Sequence, residues 1–235
     1  MQTSQVSVSR WLRFALAVLA CASMSACSTS WQEEVLLHDG SKVIAKRTVS
    51  RGGRHEIGQM SPIKEQSLSF ALPSSNKHIT WEDPFSGDIG SASFLPMLLD
   101  ISKGIPYIVA SPMGCLAYNK WGRPNPPYVI FKHDGKNWQR ISLQELPDEI
   151  KTPNILSSSP DIEAKKLGVD IVSADFIKQW TSEFTQPEYK TILREPVKGG
   201  EGLTICPDYS SQQYMFPRAP APITAPESGR AGPQP

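Results

Sequence analysis

The sequence predicts an α+β fold: a mainly antiparallel, hairpin-built sheet with two helices near the C-terminal end. Three observations predict it. Short apolar runs recur in pairs around turn-forming residues over the first two thirds of the chain. Helix-type spacing appears only after residue 158. The 235 residues hold 21 prolines and 16 glycines, which punctuate the chain into short elements.

Val35-Leu36-Leu37 and Val43-Ile44-Ala45 flank His38-Asp39-Gly40-Ser41. Asp-Gly supplies the positive φ angles of a tight two-residue hairpin turn. Arg51 to Gln59 is glycine-rich and charged, and reads as a loop. Ser67 to Leu72 alternates polar and apolar residues, as a half-buried strand does. Pro73-Ser74-Ser75-Asn76 breaks it, and Lys77 to Trp81 returns as the second strand of a hairpin. Ala92 to Ile101 is apolar but contains Pro96, which argues against a central strand. Tyr107 to Ala110 is a buried strand. Tyr128 to Lys132 and Asn137 to Ile141 flank His133-Asp134-Gly135-Lys136, the strongest hairpin signal in the chain.

The first helix runs over Ser159 to Gly168. It has a serine cap, Pro160 at the first helical position, acids early, lysines late and a terminal glycine. Ser173 caps the second, which reaches Phe184. Phe176, Ile177, Trp180 and Phe184 form its apolar face, and Pro187 stops it. Residues 211–235 hold six prolines and little to bury, so a disordered, extended Pro-rich tail is expected.

The N-terminus is a targeting segment. Arg10 and Arg13 precede the apolar run Phe14 to Ala20, and small residues follow. That is the layout of a cleaved export signal. The run is too short for a spanning helix, which needs roughly 20 apolar residues. Met24-Ser25-Ala26-Cys27 resembles the lipobox of bacterial lipoproteins. The resemblance implies cleavage before Cys27 and acylation of its thiol, with Cys21 the alternative lipidation site. It also implies delivery to the outer membrane, facing the periplasm, because Ser28 rather than aspartate follows the cysteine. The implied division is a signal peptide over 1–26, a lipidated tether over 27–30, one globular domain over 31–210 and the tail over 211–235.

Removing residues 1–26 leaves 209, enough for one sizeable core. The mature chain carries 22 basic and 23 acidic residues. This near-neutral balance argues against nucleic acid as a partner and against a polybasic hold on lipid. The bilayer, reached through acylated Cys27, is the implied partner, with an envelope protein or cell-wall component as a further one. Setting aside Cys21 and Cys27 leaves Cys115 and Cys206. In an oxidising compartment an even remainder suggests one disulfide; the alternative is two separate buried thiols.

No catalytic constellation stands out. Ser61-Pro62-Ile63-Lys64 and Ser74-Ser75-Asn76-Lys77 have the Ser-x-x-Lys spacing, but both sit in Pro/Ser-rich breaks rather than at a helix start. His38 and His133 precede Asp-Gly turns and read as solvated loop residues, and no two histidines have metal-ligand spacing. The sequence calls for no cofactor and no metal. The segment Cys115 to Tyr128 gathers Tyr118, Trp121, Arg123 and Tyr128 around a proline cluster. Such aromatic and arginine side chains are enriched at binding hot spots, so it is a candidate recognition loop. The alternative is a structural crossover whose aromatics cap the core.

Three stretches carry a further resemblance: Ser50 to Gly58, Asn119 to Tyr128 and Thr191 to Pro196. On these, Trp31 to about Lys198 is similar to a group of uncharacterised proteobacterial envelope lipoproteins. The resemblance implies no activity. The expected role is a non-catalytic binding or assembly accessory; a periplasmic hydrolase with an unrecognised site is the alternative.

Overall fold

The computed structural model describes residues 28–198, 202–209 and 220–222. The expected signal peptide and lipidation site at Cys27, and most of the Pro-rich tail, lie outside the described residues. The described chain is α+β, with strands dominating, in two antiparallel-rich sheets.

The first sheet holds β1 (Ser28–Leu36), β2 (Lys42–Arg51), β3 (Ile63–Ala71) and β4 (His78–Asp83), with the short β9 (Ile171–Val172) on the far edge of β1. Both expected N-terminal hairpins form, β1 with β2 and β3 with β4. Each strand buries every second residue: Trp31, Glu33 and Val35 on β1; Val43, Ala45, Arg47 and Val49 on β2. This period of two turns one face to the core and leaves a polar face to water. The pairing of β1 with β9 is parallel and was not foreseen, since two residues carry no periodicity.

The second sheet has the order β5 (Phe94–Ser102), β6 (Ile105–Pro112), β7 (Val129–His133), β8 (Trp138–Ile141). Pro96 lies on the edge strand β5, beside a register shift between Pro96 and Leu98. An edge strand with a bulge is where a residue without an N–H is tolerated. This sheet is covered on both faces. One face packs on the first sheet through Leu68, Phe70, Trp81, Phe94, Ile108 and Phe131. The other, including Met97, Val109 and Ile130, is covered by Leu146, Ile150 and Ile192 from the irregular C-terminal layer. A third cluster forms where α2 (Pro160–Leu167) and α3 (Ala174–Ser182) cover Trp31, Val49 and Ile63.

Polar side chains stitch the layers. Asn154 Nδ2 donates to the carbonyls of Leu36 and Leu99, and its Oδ1 accepts from Leu99 N. It thereby joins the end of β1 to the free edge of β5. Arg194 donates to the carbonyls of Leu143, Leu146, Pro147 and Ile150, holding the covering segment closed. Arg51 forms a two-pronged pair with Asp161 on α2 at 2.7 and 2.6 Å.

Local details depart from the sequence reading. The β1–β2 connection is a three-residue loop, not a two-residue turn: Leu37 N bonds Ser41 O, Gly40 N bonds Leu37 O, and Gly40 has φ +84°. A left-handed glycine after a type I turn gives this bulged form. Ser159 starts α2 but its side chain caps nothing; its carbonyl accepts from Ile162 and Glu163 instead. Ser173 does cap α3, accepting from Phe176 N. A third helix, α1 (Gly114–Lys120), occupies ground read as loop. Ser28 already pairs with Ser50, so among the described residues 28–30 lie within β1.

Asp83 illustrates the buried polar load. It accepts hydrogen bonds from Ser93 N, Phe94 N and Gln66 Nε2, yet burial outweighs them and pushes its pKa up to about 6. A carboxyl whose folded pKa exceeds its unfolded value near 3.8 favours the fold below that value and loses this contribution as pH rises through 6. The difference reaches about 3 kcal/mol at most. Asp83→Asn keeps an acceptor oxygen and abolishes the titration. Relative to wild type, it should gain stability between pH 4.5 and 7 in urea unfolding; parallel pH profiles would refute the assignment.

Candidate binding cleft

The expected recognition segment makes many internal contacts, with Trp121 and Arg123 partly exposed. Residues 114–120 wind into α1, and Cys115 is bridged to Cys206. Tyr118 and Tyr128 are buried. The Tyr128 hydroxyl donates to Glu188 O at 2.8 Å and accepts from Leu193 N. Arg123 lies over the Tyr118 ring and donates to the carbonyls of Cys206 and Pro207. Trp121 packs edge-on to Phe131 and 4.5 Å from Phe94. All four side chains make internal contacts, as core-capping aromatics of a crossover do, and Trp121 and Arg123 keep part of their surface in water. Trp121→Ala should cost roughly 2–3 kcal/mol, below the range for a fully buried tryptophan. The buried Trp121 Nε1 has no partner, so Trp121→Phe forfeits no hydrogen bond and should cost less. Chemical denaturation of both variants checks the order.

A cleft of about 400 Å³ opens instead where the β1–β2 loop, β5, residues 149–154 and α3 meet. Volumes of this size hold small ligands. Its centre is His38. The Nδ1 of His38 lies 2.6 Å from Asp100 Oδ1, and His38 N donates to Asp100 Oδ2 at 3.0 Å. Asp100 is buried on β5 and also accepts from Ile101 N. Three donors therefore hold one carboxylate, and the carboxylate orients the imidazole. The hydrogen bond to Asp100 raises the His38 pKa, with the charges of Asp100, Asp39 and Glu149 adding to it against a smaller lowering by burial. Among the described residues, His38 Nε2 has no hydrogen-bond partner. The cleft is also lined by Glu149, whose carboxylate accepts from the Ser102 hydroxyl at 2.7 Å, and by Lys151 and Lys178. The cleft thus offers an oriented imidazole with both signs of charge at its rim.

The expectation of a solvated turn residue holds for His38, which is exposed although its ring is tied to Asp100, but not for His133. His133 is in fact buried, edge-on to Trp138, with burial lowering its pKa. The available signal for the cleft was Asp100, an acid inside the apolar run Phe94 to Ile101. An isolated acid at such a position needs a partner. Nothing local to the sequence named His38, 62 positions away. Among the described residues no three His, Cys, Asp or Glu side chains are grouped to hold a metal ion. No described helix is long and apolar enough to cross a membrane. Comparison with protein-family models, with curated proteins and with solved structures found no match.

Proposed function

We propose that this protein is an envelope lipoprotein, anchored through acylated Cys27 to the periplasm-facing side of the outer membrane, that binds a ligand rather than transforms one. The observation that carries the reading is the polarity of β1. The strand starts at Ser28, next to the anchor, and ends at Leu36, on the cleft. Nine extended residues span roughly 25–30 Å. An acyl anchor on Cys27 would thus lie off the end of β1 opposite to the cleft, leaving the cleft turned away from the lipid. Its lysines, Glu149 and charged-capable His38 suit a short ligand bearing both carboxylate and amine groups, such as a peptide of the cell wall.

The test is co-sedimentation with isolated cell-wall sacculi and titration with soluble wall peptides. Lys178→Glu should reduce binding at unchanged thermal stability; His38→Ala should reduce it too, with some loss of stability because the buried Asp100 carboxylate loses one of its three donors. Binding of a carboxylate should weaken as pH rises through the raised His38 range, because only the protonated ring attracts it. Wild-type protein that ignores wall peptides would sink the reading. The His38–Asp100 pair also favours a hydrolase as the second reading, since a carboxylate-oriented imidazole is a general base. Thr152 is the hydroxyl among the cleft residues, and it makes no bond to His38. Turnover of wall peptides by wild type but not by His38→Ala would select that alternative.

A further inference from the structure

We infer that the loop Gly52 to Pro62, together with Phe85, is a lipid-contacting surface that seats the protein on the bilayer beside its own anchor. The inference rests on acylation of Cys27 and adds to it which face of the body meets the membrane.

The register places the parts. Ser28 pairs with Ser50, Ser50 pairs with Glu65, and Gln66 pairs with Asp83. The start of β1, the β2–β3 loop and the segment after β4 therefore share one end of the first sheet. Cys27 precedes Ser28 directly, so its Cα lies about 3.8 Å from that of a residue already locked into the ladder. A lipid attached there has almost no slack. The body cannot stand off the bilayer on a flexible stalk, and this end must come down onto it.

That end exposes large apolar side chains that soluble surfaces do not cluster. Ile57 is fully exposed, at 107% of its reference area; Met60 and Phe85 are 61% and 43% exposed. They are not on a loose strap. Arg54 N donates to Gly90 O at 2.9 Å, and Gly52 N donates to Pro62 O at 3.0 Å. Gly53 takes φ +92°, and a Cβ there would stand 2.2 Å from Gly90 O. The base of the loop is thus braced against the segment that carries Phe85, and all three apolar side chains are exposed at the same end of the sheet. The charges around them are mixed: Arg54 and Lys64 stand near Glu56 and Glu65. Contact is therefore apolar. It should depend little on anionic lipid or on salt, unlike a polybasic patch. A bilayer is the occupant that the adjacent acyl chains bring to this site, at the end of the sheet remote from the cleft.

The experiment uses the acylated full-length protein in phosphatidylethanolamine/phosphatidylglycerol vesicles. Ile57→Cys and, at the opposite end, Ser74→Cys each introduce a thiol for a polarity-sensitive nitrobenzoxadiazole label; Cys115 and Cys206 are bridged and Cys27 is acylated. The label at 57 should shift to the blue and resist aqueous dithionite, whereas the label at 74 should do neither. The contrast should persist at high salt and without phosphatidylglycerol. An acylated, vesicle-bound protein whose label at 57 is as water-exposed as that at 74 overturns this inference alone. A purified chain that lacks the acyl mass overturns both the inference and the lipoprotein reading.

Discussion

Arg47→Ala should destabilise the protein by about 3–5 kcal/mol, the largest effect expected of any single side chain. Arg47 and Glu33 are both essentially fully buried on the inner face of the first sheet. Arg47 Nη1 donates to Glu33 Oε1 at 3.3 Å and to Leu156 O at 3.0 Å. Glu33 accepts in addition from Trp31 Nε1 at 2.7 Å and Leu156 N at 3.1 Å. The guanidinium lies 5.4 Å over the Trp31 ring. Burial pushes the Glu33 carboxyl up and the Arg47 guanidinium down, while each charge opposes the other's shift. Removing the arginine leaves an acid sealed from water with its main counter-charge gone. The acid must then be desolvated alone or protonated, and either is costly. Arg47 Nη2 is buried without a partner, so the pair is itself imperfect. Joint replacement, Glu33→Leu with Arg47→Met, should recover most or all of the loss. Urea unfolding of the single and double variants decides. A double variant as unstable as Arg47→Ala would show that the charges hold the β1, β2 and Leu156 junction together rather than tax it.

Loss of the Cys115–Cys206 bridge should be nearly as severe. The bond closes a loop with a sequence separation of 91 and ties α1 to the 3-10 turn Gly202–Ile205. In the chain-entropy view, closing a loop of that length is worth at most about 4–5 kcal/mol. The bridge also positions the carbonyls of Cys206 and Pro207 for Arg123 and Asn119. Cys115→Ala with Cys206→Ala should therefore lower the unfolding midpoint markedly, and dithiothreitol should do the same to wild type but not to the variant. A change under about 1 kcal/mol would mean that the unfolded chain is already compact around this segment.

Much of the strand content was legible because its signals are local. Asp39-Gly40 and Asp134-Gly135 sit between apolar runs, and both became hairpin connections. Ser173 capped its helix as read. Failures came where a signal fitted more than one structure. Ser159 has a capping side chain, but its φ of +46° turns that side chain away from the role. Residues 114–120 look like loop because Gly114 opens them and a proline cluster follows, yet packing against β6 and the bridge to Cys206 supports a helix. Trp121 and Arg123 have the composition of a binding hot spot, and that composition also serves a buried crossover.

The sequence by itself determined where most of the strands and hairpin connections form, and one of the two helix caps. It also placed the lipobox-like Met24 to Cys27 and left Cys115 and Cys206 as the pair to be bridged. These are properties of neighbours along the chain, governed by φ preference, periodicity and residue chemistry. Only the tertiary structure decided which polar groups were sealed inside and which met. Glu33 is satisfied by Arg47 and by Leu156, 123 positions away; Asp100 is satisfied by His38. Burial and pairing of this kind arise when distant segments close over one another. The same closure placed the cleft at one end of β1, with Ser28 at the other.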